Sequence, residues 1–178
     1  IFTLIFPEFK NLKRLDRLIK ICDNSQVSMN LLLAILLIDD QDTHEYFGHK
    51  YNISNNIKDN LNSLAKNFKL IKENKSFFNK DLEKNIYLHD KHTLIDLLIL
   101  NFAINSNFKL RDFSEIFNKI LKSKTHKFNI DGKYLIENGM HQGSLIGKVL
   151  REIEDEWIKN NFQITKKRVK EIIRSHSN

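Results

Sequence analysis

The chain has 178 residues, 41% of them apolar and 13 of them Phe, enough to build a sizeable core and too apolar for a disordered chain. Lys and Arg number 29 against 22 Asp and Glu, a formal net charge of +7 with a pI near 9.4, which points to an acidic partner, nucleic acid being the commonest. A single cysteine, Cys22, excludes an internal disulfide and fits a reducing cytoplasm, and the longest apolar run, Leu31 to Ile38, falls far short of the roughly 20 residues that span a bilayer.

In chain order, Ile1 to Phe6 is apolar but has no basic flank, so it does not read as a signal peptide. A start at Ile hints at a piece of something longer. Leu12, Leu15, Leu18, Ile19 and Cys22 share one face of a predicted helix, with Lys13, Arg14, Arg17 and Lys20 mostly opposite. On that face Cys22 is core filler rather than a nucleophile. Ser25 or Ser28 can cap a second helix through Leu31, Leu32, Ile35 and Ile38, and Ser54 a third with Ile57, Leu61, Leu64 and Phe68 inward. Asp81 to Leu88 reads as a short helix, Asp90 as the cap of one carrying Leu94, Leu97, Leu98 and Phe102, and Arg111 to Leu121 as another with Phe113, Ile116, Phe117 and Ile120.

One proline and the lack of any extended alternating pattern predict an all-α helical bundle. The polar stretch Asn105 to Asn107 divides it into a helical body over 1–105 and a helical tail over 106–178, with a single domain as the alternative.

Two histidine motifs invite a metal reading. His89-Asp90 resembles the pair of metal-dependent HD phosphohydrolases, but Asp90 is better explained as a helix cap. His44 and His49 flank Glu45 at a spacing unlike the i, i+4 pair of a helical zinc site. No metal site is expected at either.

Residues 128 to 162 carry the most information. Asp131-Gly132 marks a turn, Tyr134 to Asn138 one or two helical turns, and Gly139 a left-handed stop. Gly143-Ser144 then opens a long helix with Ser144 as N-cap and Ile146, Val149, Leu150, Ile153 and Trp157 as its buried stripe. Gly147 removes a side chain from the first turn, so another backbone can approach. The free N–H groups of such a start suit a phosphate, with Lys148 beside them. The alternative is a capped helix packed tightly on its neighbour. Three basic groups stand out: Lys10/Lys13/Arg14/Arg17, Lys119/Lys122/Lys124/Lys127, and Lys166/Lys167/Arg168/Lys170/Arg174, the last following Thr165 as N-cap. Such groups suit sequence-independent, salt-sensitive RNA binding.

Phe128, Ile130, Gly132, Leu135, Gly139, Gly143, Gly147, Leu150 and Trp157 stand in an order and spacing that resembles the C-terminal region of class II tRNA nucleotidyltransferases and bacterial poly(A) polymerases. That family reads F-P-[LI]-x-G-x-D-L, then G-x-x-P-G-P-x-x-G-x-x-L, then a Trp on the same helix. Here Asn129, Gln142 and Ser144 replace its prolines and Tyr134 its Asp, and Ile53-Ser54-Asn55 resembles its L-S-N helix start. The resemblance implies a tRNA-binding body and tail in which Gly143, Ser144, Gly147, Lys148, Lys166, Lys167, Arg168 and Lys170 touch RNA. It also implies addition of C, C and A to tRNA 3′ ends by the whole enzyme.

The family's G-[SG]-x-x-R segment, its metal-holding D-x-D and its E-D-x-x-R helix are not found in this sequence. Asp40-Gln41-Asp42 matches D-x-D by letters only and reads as a loop or helix end. The chain is therefore expected not to catalyse alone. CTP, ATP and Mg²⁺ belong to a separate or upstream head. The alternative is a non-enzymatic helical module that binds RNA or protein, a remnant of a degraded gene.

Overall fold

The computed structural model describes residues 2–21 and 27–176, and all its regular structure there is helical. Cys22 and Ser25 lie outside the described residues. The chain forms two compact units, Ile1–Ser123 and Lys124–Asn178. Residues 106–123, expected in the tail, pack with the first unit, because Phe113, Ile116 and Ile120 close its core.

The first unit comprises α1 (Phe2–Ile5), α2 (Lys13–Ile19), α3 (Met29–Leu37), α4 (Thr43–Lys50), α5 (Asn55–Glu73), α6 (Leu82–Leu88), α7 (Lys91–Ile104) and α8 (Leu110–Lys122). Helix α7 is its axis. Every residue from Leu97 to Ala103 is buried, and α2, α3, α5, α6 and α8 all pack on it. Such a helix is apolar all round, so its hydrophobic residues show no stripe. Its start is fixed by Asp90, whose carboxylate accepts from the Thr93 backbone N–H at 2.9 Å and the Thr93 hydroxyl at 2.6 Å. Ser28 and Ser54 cap α3 and α5 in the same way.

Helix α2 departs from the expected facing. Leu18 is buried, but Ile19 is 69% and Leu12 36% exposed, while Arg14 and Arg17 are turned half inward. The cause lies in their partners. Arg14 Nη1 donates to the carbonyls of Ile35 and Ile38, both at 2.8 Å, at the C-terminal end of α3. Arg17 spreads its guanidinium over the C-terminal end of α7, donating to Phe102 O at 2.7 Å, Asn105 O at 3.0 Å, Ser106 O at 3.3 Å and Phe108 O at 2.6 Å. It also lies 4.4 Å from the centroid of the Phe102 ring. The last carbonyls of a helix lack intrahelical partners and carry the negative end of its dipole, so a forked cation satisfies both needs.

Helix α4 escapes the sequence pattern because His44, Phe47 and Gly48 are its only buried residues. It begins at Asp42, which adopts a left-handed φ of 52° and makes no side-chain cap. The local cap is instead Asp39, which accepts from the backbone N–H of Gln41 and Thr43 and from the Thr43 hydroxyl. Asp40 pairs with Lys72 at 2.6 Å. The Asp40-Gln41-Asp42 stretch is thus the loop that joins α3 to α4, a loop as its flanks predict. Nearby, the buried Glu8 carboxylate accepts from Lys50 Nζ at 2.6 Å and the Tyr51 hydroxyl at 3.1 Å.

The second unit comprises α9 (Gly132–Glu137), α10 (Leu145–Lys159) and α11 (Lys166–Ser175). Leu135, Met140, Val149, Ile153, Val169, Ile172 and Ile173 form its core. Gly139 ends α9 with φ +104°, and the Met140 N–H bonds back to Leu135 O at 3.1 Å, a left-handed stop where the sequence placed one. At the far end of α10, Trp157 packs on Phe128 and Phe162, with ring centroids 5.3 and 4.9 Å apart. His126 stacks on Phe162 at 3.8 Å. These contacts hold Phe162 at φ 60°, a conformation that is rare for a bulky side chain.

Candidate nucleic-acid interface

Helix α11 starts where Thr165 Oγ1 accepts from the Arg168 backbone N–H at 3.2 Å. Its Val169, Ile172 and Ile173 turn inward onto the core. The helical repeat then puts Lys166, Lys167, Lys170 and Arg174 on the opposite, exposed face. With Glu171 they line a shallow hollow of about 320 Å³. None of these four cations has an acidic partner among the described residues.

Arg168 differs from them. Its Nε and Nη2 donate to the two carboxylate oxygens of Glu156 on α10, at 2.7 and 2.9 Å, and Nη1 reaches Glu171 at 3.5 Å. The hydrogen bonds from Arg168 hold the Glu156 carboxyl below the usual carboxylate range, and Glu156 in turn raises the Arg168 pKa. Arg168, which the resemblance places on RNA, thus latches α11 to α10. A second latch joins His176 Nε2 and Glu152 at 2.8 Å.

The start of α10 also differs from expectation. Ser144 has helical dihedrals, φ −62° and ψ −20°, and makes no side-chain cap. Gly143 and Gly147 are exposed, and a Cβ on either would meet nothing within 4 Å, so neither glycine admits a neighbouring backbone. The close approach is made by Gly132, where a Cβ would stand 3.2 Å from Ile146 Cγ2. Lys148 is exposed on α10.

The start of α11 and the start of α10 stand apart. Arg168 fixes the start of α11 beside Glu156. Ser144 lies twelve residues earlier on α10, about 18 Å away at the helical rise.

The other basic groups divide. Arg14 and Arg17 close helix ends, while Lys10 and Lys13 are exposed. Lys119 and Lys122 belong to the first unit and Lys124 and Lys127 to the second, all exposed. Among the described residues no group of three or more His, Cys, Asp or Glu side chains is placed to hold a metal ion. No described helix is long and apolar enough to cross a membrane. The chain matches no family model, and no curated protein or solved structure matches it.

Proposed function

We propose that the chain grips the sugar–phosphate backbone of a folded RNA through the exposed face of α11, and that the RNA is tRNA, as the resemblance to tRNA nucleotidyltransferases implies. The observation that carries the reading is the row Lys166, Lys167, Lys170 and Arg174, cations on one exposed face without an acidic partner among the described residues. Cations so arranged neutralise phosphates without reading bases. On this reading the chain supplies grip and position. Nucleotide addition with CTP, ATP and Mg²⁺ belongs to a catalytic head whose motifs this sequence does not carry. A second reading, a helical protein-interaction module, is favoured by the pairing of Arg14, Arg17 and Arg168 within the fold, which lowers the charge left for a polyanion.

A salt series of tRNA binding separates the two. Wild type should lose affinity steeply with salt, and Lys166, Lys167 and Lys170 replaced together by Ala should flatten the log–log slope by about 0.7–0.9 for each phosphate contact removed. Gly143→Val, at a position with open space around it, should leave the slope unchanged and weaken binding only if RNA reaches the start of α10. Equal slopes for wild type and the triple variant would overturn the α11 grip.

A further inference from the structure

A cavity of about 750 Å³ lies in the first unit between the C-terminal parts of α5 and α7, the turn over 74–81, and α8. Its size is that of a small-molecule site. Asn101 lines it. This residue is 8% exposed, yet its carboxamide makes no hydrogen bond among the described residues. The fully enclosed unpartnered side-chain polar atom among those residues is His44 Nδ1, so the Asn101 amide opens into the cavity rather than into packed protein. The other buried polar groups nearby are satisfied: Asn85 donates to Phe77 O at 2.8 Å. An amide that faces the cavity holds a donor and an acceptor side by side, free to pair with a ligand that presents the complementary edge.

The rest of the wall narrows the ligand. Phe68, Phe77, Phe78 and Phe108 line the cavity, the first three buried and Phe108 half-buried. Lys75 and Lys119 stand at the rim, exposed and unpaired among the described residues, whereas Lys72 is held by Asp40. Asp112 offers an acceptor for hydroxyl groups. A flat ring with an amide-like edge, a hydroxylated linker and one anionic group fits this set. Both walls are fixed in advance: Asn85 and the Asn74–Asp81 bond pin the turn, and Arg17 pins the end of α7.

We infer that this cavity binds an adenosine 5′-phosphate unit, free or as an unstacked residue of an RNA strand, with the Asn101 carboxamide on the adenine edge. Asn pairs in bidentate fashion with adenine N6 and N7, and unpaired bases stack on aromatic side chains. The inference does not depend on the α11 reading.

The test follows the side-chain amide resonances of Asn101 by NMR in the whole chain, titrated with AMP, adenosine and a single-stranded hexa-adenylate up to about 5 mM. Either phosphate-bearing probe should shift those resonances. A shift with AMP indicates a free nucleotide, and one with hexa-adenylate alone indicates an RNA residue. Asn101→Leu, followed on the side-chain amides of Asn79 and Asn105 in the same cavity, should weaken binding about tenfold or more. Lys75→Ala with Lys119→Ala should bring AMP down to the affinity of adenosine, and this variant decides the matter if Asn101→Leu does not fold. Replacing the α11 lysines should leave AMP binding intact, so this inference and the RNA grip fail separately. No shift with either probe, or an Asn101→Leu protein that binds like wild type, would overturn it.

Discussion

Two arginines of α2 and the lysines of α11 look alike as letters, each a basic group at helical spacing, and the fold uses them in opposite ways. Arg14 and Arg17 reach inward to carbonyls at the ends of α3 and α7. Lys166, Lys167 and Lys170 stay exposed, and within the same helix Arg168 turns aside to Glu156. In these two helices the forked guanidinium groups of Arg14, Arg17 and Arg168 find internal partners, while the three lysines and Arg174 remain in solvent. A basic run therefore overstates the charge available to a partner wherever its cations are paired within the fold.

The comparison breaks first on stability. Trp157 is the only Trp, 8% exposed, so its fluorescence follows the second unit. Trp157→Ala should cost that unit about 3–5 kcal/mol, read by helical circular dichroism in denaturant. An unchanged transition would show that the aromatic end of α10 is not core. Arg17→Ala should follow, at about 2–4 kcal/mol for several charge-assisted bonds to carbonyls. The Trp157 transition serves as the internal control, because the loss belongs to the first unit. Arg17→Lys should recover little, since an ammonium cannot reach four carbonyls at once. Full recovery by Lys would reduce Arg17 to a point charge.

A smaller effect comes from pH. The hydrogen bond from Lys50 holds the buried Glu8 carboxyl below its usual range despite burial. The unfolded chain then binds more protons than the folded one in that window. Its contribution is complete above the ordinary carboxylate pKa and disappears as pH falls through the lower folded value. Acid titration of wild type against Glu8→Gln should show a shallower loss in the variant below about pH 4. Parallel curves would mean the pair does not stabilise the fold.

Much of this was legible in the sequence. The stripes of α5, α8 and α10 and the caps Ser28, Ser54, Asp90 and Thr165 sit where periodicity and short polar side chains place them. Local chemistry decides such features, so a linear reading reaches them. The facing of α2 was not legible, because the carbonyls that draw Arg17 inward lie more than eighty residues away in sequence. Helix α4 has too few buried residues to make a stripe. Ser144 and Gly147 carried the letters of a cap and a close contact, but the neighbour that would give those letters meaning packs at Gly132 instead. The cavity left one trace, an Asn in the apolar run from Leu97 to Ile104, visible as an interruption but not as a site.

Helix ends ordinarily fray, opening and closing far faster than the domain around them unfolds. The Arg17 clamp removes that freedom from α7. Its terminal carbonyls are joined to α2, and through Ser106 and Phe108 to the segment leading into α8. Local opening there has to release α2 as well, which couples it to the opening of the whole first unit. The last turn of α7 thus behaves as interior rather than as an end, and the amide of Asn101 stands on backbone that holds its position with or without a ligand.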